Sequence, residues 1–211
     1  MDERPIRDPY HPQRFPIVIV ISGPSGAGKG TLIRRVLPLF SNLMLSVSAT
    51  TRRRGAGERE GVEYHFLARE EFLRRVEAGL FLEWAEYGEN LYGTPADFVA
   101  AALGAGNDVL LEIELVGARQ VMQHCPDAVG IFIAPPSMEV LEGRLRARNT
   151  ETEEDIARRL AHAAEELDAL HRDRGAVGPY FAYAIVNDDV EQAAEELRAV
   201  IEELRITDVA R

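Results

Sequence analysis

Gly23-Pro24-Ser25-Gly26-Ala27-Gly28-Lys29-Gly30-Thr31 decides the reading of this chain. The apolar run Ile17-Val18-Ile19-Val20-Ile21 precedes it, and Leu32, Ile33, Val36 and Leu37 follow at helical spacing. Strand, glycine-rich turn and helix in that order are the context of a phosphate-binding P-loop. Glycines let the backbone curl so that successive N–H groups point at phosphate oxygens, and the start of the helix adds the positive end of its dipole. Lys29 then offers a compact charge to the terminal phosphates. It is the single lysine among 24 Lys and Arg residues, which marks a position that guanidinium does not fill. The competing reading, a glycine-rich turn with a solvated lysine, leaves the agreement of loop and flanks to chance. One letter departs from the simplest motif: Gly30 stands where Ser or Thr would reach magnesium, and Thr31 comes one place later.

At 211 residues the chain can bury a sizeable core, and its 46% hydrophobic and 28% charged content are those of an ordinary globular protein. A net charge of −11 argues against generic nucleic-acid binding, so clusters of arginine stand out. Cys125 is alone, which excludes an internal disulfide and leaves a structural thiol as the simplest reading. Residues 1–15 are polar and interrupted by Pro5, Pro9 and Pro12, as in a loose tail, and 207–211 form a second short tail. The run Ile17 to Ile21 is too short for a signal segment or a membrane span, so a cytoplasmic enzyme with no membrane or nucleic-acid partner is expected.

Further along, Met44 to Ser48 reads as a short strand leading into the hydroxyl and arginine cluster Ser48-Ala49-Thr50-Thr51-Arg52-Arg53-Arg54. Val62 to Leu67 alternates like a strand, and Arg69 to Ala78 is amphipathic like a helix. Aromatic and hydroxyl residues gather in Phe81 to Tyr87 and Leu91 to Thr94, so residues 48–95 read as an inserted substrate-binding subdomain. Helix and strand then alternate: helix Asp97 to Leu103, strand Val109 to Glu114, helix near Ala118 to Cys125, strand Ala128 to Ala134. Ser137 and Thr152 are N-cap candidates for the next two helices, Thr152 with Asp155 in a capping-box-like start. Tyr183 to Asn187 is the last strand and Val190 to Leu204 the last helix. About five strands alternating with helices imply an α/β fold, a parallel sheet with helices on both faces. Ligands of such sheets bind at the carboxyl ends of the strands, where the P-loop, Ser48, Glu112, Glu114 and Asn187 fall.

With these residues in view, the chain resembles guanylate kinase from about Ile17 to Leu204. The stretches that carry the resemblance are GPSGAGKGT, SVSATTR, EYHF, FLEWAEYGENLYGT, FIAPPS, RLRARNTETEEDIARRL and IVNDD, in that order. The resemblance implies transfer of the γ-phosphoryl group of ATP to GMP, with magnesium accompanying ATP. It implies one domain over 16–206, with a core of 16–47, 96–140 and 161–206, a GMP-binding subdomain of 48–95 and a lid of 141–160. Gly23 to Thr31, Asn187 and Asp188 fall on ATP-binding positions. Ser48, Arg52, Tyr64 and Tyr92 fall on positions that hold the GMP phosphate, the right chemistry for an anion that accepts bidentate and O–H bonds. Glu83 and Thr94 match positions that read guanine, whose N1–H and amine one carboxylate can accept together, whereas adenine offers a bare N1. Glu58 falls near the GMP phosphate, with a loop-stabilising role equally open. Arg144, Arg148 and Arg159 match lid arginines that close over the ATP phosphates, alongside Lys29. Arg146 and Arg158 are read as merely solvated.

This chain also departs from the family pattern. Gly55 stands where an arginine is common, so either Arg54 reaches the phosphate from a shifted loop or one contact is lost. Glu112 and Glu114 replace aspartates near the magnesium and ribose side, Val116 replaces a glutamine, and Asn149 replaces a lid glycine. Loops reading GKGT occur among nucleoside monophosphate kinases, so Gly30 fits the class, and magnesium is expected to be held mainly by phosphates and water, with Thr31 as the candidate protein ligand. Two other functions compete: a related P-loop kinase acting on AMP or a ribose bisphosphate, and a catalytically silent binding module. Oligomeric state is not legible.

Overall fold

Every residue of β1 (Val18–Ser22) is buried, because other strands flank it on both sides and helices cover both of its faces. The structure, a computed structural model, describes residues 15–147, 152–172 and 180–207. After β1 come α1 (Lys29–Val36), β2 (Leu43–Leu45), β3 (Ala49–Thr50), β4 (His65–Phe66), α2 (Arg69–Glu77), β5 (Phe81–Tyr87) and β6 (Asn90–Pro95). The second half runs α3 (Ala96–Gly104), β7 (Asp108–Glu112), α4 (Leu115–His124), β8 (Val129–Ala134) and α5 (Met138–Ala147). It ends with α6 (Glu153–Arg172), β9 (Tyr183–Val186) and α7 (Val190–Thr207).

Strands β2, β7, β1, β8 and β9 lie side by side in that order, all parallel. Alternation sends Ile19 and Ile21 to one face, where Leu110, Ile131, Ile133 and Ile185 join them beneath α1 and α7. Val18 and Val20 go to the other face, with Val109, Leu111 and Phe132, beneath α3 and α4. Each of these large apolar side chains contributes about 1.5–3 kcal/mol by leaving water. The start of the interior strand β7 is tied to α7 and to the approach to β1: the buried Asp108 accepts from the Arg205 guanidinium at 2.8 Å and from the Ile17 N–H at 3.0 Å. Cys125 is half-buried against the second face, and burial pushes its thiol pKa up, as befits a packing residue.

A second, four-stranded sheet ordered β4-β3-β6-β5 is built from Ala49 to Pro95. Its small core is Ala49, Phe72 and Leu91, with the Phe72 and Phe81 rings stacked at 4.5 Å. The alternation of Val62 to Leu67 overstates the strand there: the strand is His65–Phe66 with Tyr64 in a separate bridge to Glu60, because Gly61 at φ 71° turns the chain and Val62 closes a bond back to Arg59 O. The strand ending in Glu112 likewise stops short of Glu114, which instead sits at the N-cap of α4. Ser137 and Thr152 cap as their positions suggest, accepting from the N–H groups of Val140 and Asp155. The capping of α7 comes from Asp189, whose carboxylate accepts from the N–H groups of Glu191 and Gln192.

Candidate active site

The P-loop sits at the carboxyl end of β1, between the ends of β7 and β8. Gly23, Gly26 and Gly28 adopt φ of 138°, 95° and 98°, a region L-residues with side chains rarely enter. Space forbids substitution as well: a Cβ at Gly23 would stand 2.1 Å from Ile133 O, and one at Gly28 would stand 2.2 Å from Asn187 Nδ2. Lys29 is buried, and its ammonium donates to the carbonyls of Gly23 and Pro24. Gly30 lies beneath Glu112, both of whose carboxylate oxygens would be 3.4 Å from a Cβ there. A Cβ at position 30 would thus meet Glu112 at ordinary van der Waals distance, which places the longer acid directly over the loop. Thr31 is exposed, and its hydroxyl accepts from Arg34 at 3.2 Å.

Two of the predicted arginines reach this loop from distant helices. Arg144 of α5 donates to Asn187 O at 2.8 Å and to Ala27 O at 3.5 Å. Arg159 of α6 donates to Ser25 Oγ. Asn187 closes the ring, its amide donating to Ala27 O at 2.7 Å, while its own Oδ1 is buried with no partner. Asp188 is exposed beside it. Arg148 lies outside the described residues. The arginines read as solvated make surface ion pairs instead, Arg146 with Glu142 and Glu153, and Arg158 with Asp155.

The second sheet collects the other predicted group. Arg52 lies over the rings of Tyr64 and Phe66 at 5.4 and 6.0 Å, and Tyr64 meets Tyr92 edge-on at 5.9 Å. Glu58 bonds the Arg52 guanidinium at 2.7 Å and the Gly55 N–H at 2.6 Å, which hold its carboxyl below the usual range. It therefore orders both the arginine and the loop that contains Gly55. Ser48 is half-buried and anchors β4 through its carbonyl, which accepts from the His65 N–H. Burial first, then the neighbouring Tyr92 and Glu112, raise the pKa of the Tyr64 phenol. Arg54 is exposed, and its charge adds to the Phe66 N–H and His65 bonds that hold the Glu60 carboxyl below the usual range.

Glu83 is 5% exposed, opposite Thr94 in the β5–β6 register. The Thr94 hydroxyl donates to it at 2.7 Å and the Thr94 N–H also bonds it, yet burial outweighs both and raises its pKa to about 6. A buried carboxylate bonded by Thr94 alone and facing no cation among the described residues is a candidate ligand-binding group.

Sequence reading passed over Glu166. It lies on α6 with its carboxylate bonded to the N–H of Leu115 at the start of α4, within reach of Lys29 and Glu114. Burial and the Glu114 charge push its pKa up to about 7. The signal was present: Glu166 stands at helical spacing from Arg159 and the buried Ala163, on the inward stripe.

Comparison with known proteins points the same way. The family model described as guanylate kinase matches residues 16–204. A guanylate kinase of Synechococcus sp. (strain JA-3-3Ab) is 52% identical over 184 residues, which is 87% of this chain and 81% of that protein. One from Rubrobacter xylanophilus is 53% identical over 180 residues, 85% of this chain and 90% of its own. The crystal structure of guanylate kinase from Anaplasma phagocytophilum superposes with a TM-score of 0.73 at 33% identity, covering 92% of this chain and 88% of that one.

Proposed function

This chain belongs to the guanylate kinase family, and we propose that it transfers the γ-phosphoryl group of ATP to GMP by dividing the work between its two sheets. The P-loop takes the ATP phosphates on backbone N–H groups and the ammonium of Lys29, with Asn187 and Asp188 on the adenine side. The second sheet, within the 48–95 subdomain, takes GMP. Arg52, Tyr64, Tyr92 and Ser48 bind its phosphate, Glu58 holds Arg52 in place, and Glu83 with Thr94 reads the base.

Phosphoryl transfer needs positioning and neutralisation of charge on the moving group rather than a covalent residue. Lys29, Arg144 and Arg159 supply that charge, joined by Arg148 in the same role. Residues 141–160 act as a lid whose closure excludes water and limits loss of ATP to hydrolysis. Magnesium accompanying ATP would be held mainly by the nucleotide phosphates and water, with Glu112 near Gly30 as a carboxylate close by, and would supply neutralisation of phosphate charge. The Thr31 hydroxyl, engaged with Arg34, is the weaker donor. Glu112 and Glu114 border the GMP side. The reaction is assigned to cytoplasmic GMP recycling, and recovery of the protein in a membrane fraction would overturn that setting.

The observation that carries the acceptor assignment is Glu83, buried and bonded to Thr94 while its charge lacks a cationic partner among the described residues. Guanine presents two donors to such a carboxylate and adenine leaves it unpaired. A coupled ADP-release assay should show turnover of GMP and dGMP, with AMP, UMP and ribose bisphosphate near background. Equal turnover of AMP and GMP would overturn the role of Glu83.

A further inference from the structure

Strand β5 is the outermost strand of its sheet, so the edge beside Glu83 has no neighbouring strand. Its polar groups are met from α4 instead. The Trp84 N–H donates to Gln120 Oε1 at 3.2 Å, and Gln120 Nε2 donates back to Trp84 O at 2.8 Å. One side-chain amide thus closes both groups, as a paired strand would. His124 Nδ1 lies 3.0 Å from Leu82 O, and since a carbonyl only accepts, Nδ1 carries the proton. The residues on either side of Glu83 are therefore bonded to the same helix.

The third point of contact is Gly117. It stands in the first turn of α4, and because glycine is a poor helix former its presence there asks for a reason. A Cβ at Gly117 would stand 2.4 Å from Glu83 Oε2, 3.0 Å from Cδ and 3.5 Å from Cγ. All three nearest atoms belong to one side chain, the carboxylate whose other oxygen accepts from Thr94. Gly117, Gln120 and His124 are spaced by three and four residues and form one helix face.

We propose that this face of α4 is the positioning element for acceptor-base specificity: Gly117 makes room for the Glu83 carboxylate, and Gln120 and His124 fix the strand that carries it. The inference rests on the reading that Glu83 binds the acceptor base. Helix α4 begins just after Glu112 and Glu114, at the end of a strand beside the P-loop, so the base reader is referenced to the phosphate-binding sheet and not only to its own small one.

The test is a kinetic double-mutant cycle, with GMP, AMP and ATP titrated separately. Gly117→Ala should lower kcat/KM for GMP by about 100-fold, the scale of an ångström misplacement, mainly through KM, and narrow the preference for GMP over AMP. KM for ATP should stay within about twofold of the parent's, the scatter expected of uncoupled sites. Glu83→Asp retracts the carboxylate by one methylene, so in that background Gly117→Ala should add little further loss. A glycine needed only for helix packing would impose the same penalty in both backgrounds, and that result would overturn the proposal. Should Gly117→Ala fold poorly, melting curves decide: recovery of the melting temperature in the Glu83→Ala background supports the clash, and no recovery refutes it. If Glu83→Ala itself leaves KM for GMP unchanged, the fault lies with the base-reading role, a different failure.

Discussion

In the function proposed above, the P-loop and the Glu83 site solve the same problem, holding a polar ligand, in opposite ways. The loop is one contiguous stretch whose working groups are backbone N–H donors, and its glycines are required by positive φ and by lack of room. The Glu83 site is assembled from residues on β5, β6 and α4 separated by as many as 42 positions in the chain. Backbone geometry binds any phosphate; side-chain placement tells one base from another. Generic affinity thus comes from local structure and selectivity from tertiary structure.

Four experiments would break or sharpen that contrast. Lys29→Ala should cost the most, lowering kcat by about 1,000-fold with an unchanged fold by circular dichroism, because it removes a charge on the moving phosphoryl group. Near-normal turnover would refute the division of labour. Arg159→Ala should lower kcat by about 100-fold, less than the lysine because Arg144 converges on the same loop. An effect confined to KM for GMP would place Arg159 on the wrong side of the contrast.

Glu83→Gln should reduce kcat/KM for GMP by about 10- to 100-fold while leaving KM for ATP alone, since the amide turns one acceptor into a donor facing the base. A matching loss for ATP would mean that the two sites are not separable. The smallest effect is on stability. The carboxyls of Glu83 and Glu166 are raised to about 6 and about 7, so the folded state binds more protons than the unfolded chain just below those values. The stability these groups contribute is full below their ordinary pKa near 4.5 and is lost as pH rises through about 6 and about 7. For Glu83 the loss is on the order of 2 kcal/mol. Glu83→Gln should therefore gain on the parent in urea-melt stability as pH rises from about 5 to 8; a constant difference across that range would contradict the burial argument.

How much was legible follows from the same contrast. GPSGAGKGT announces a phosphate loop because sequence-adjacent residues make it, and the apolar runs announce a parallel sheet because both faces of such strands are buried. Glu83 had no local signal. In FLEWAEY it is one acid among alternating residues, and only the family resemblance singled it out. Gly117 was invisible for a sharper reason: its neighbour is 34 positions away, and a glycine inside a helical pattern reads simply as a weak helix position.

What the sequence determined by itself was the P-loop, the α/β alternation and the caps Ser137 and Thr152, all products of local backbone preference and of the period of burial. Only the tertiary structure decided that Arg144 and Arg159 reach one loop, that Glu112 occupies the space above Gly30, and that α4 backs Glu83. Those outcomes depend on which side chains meet after the sheets close, and contact across such distances leaves no trace in local composition.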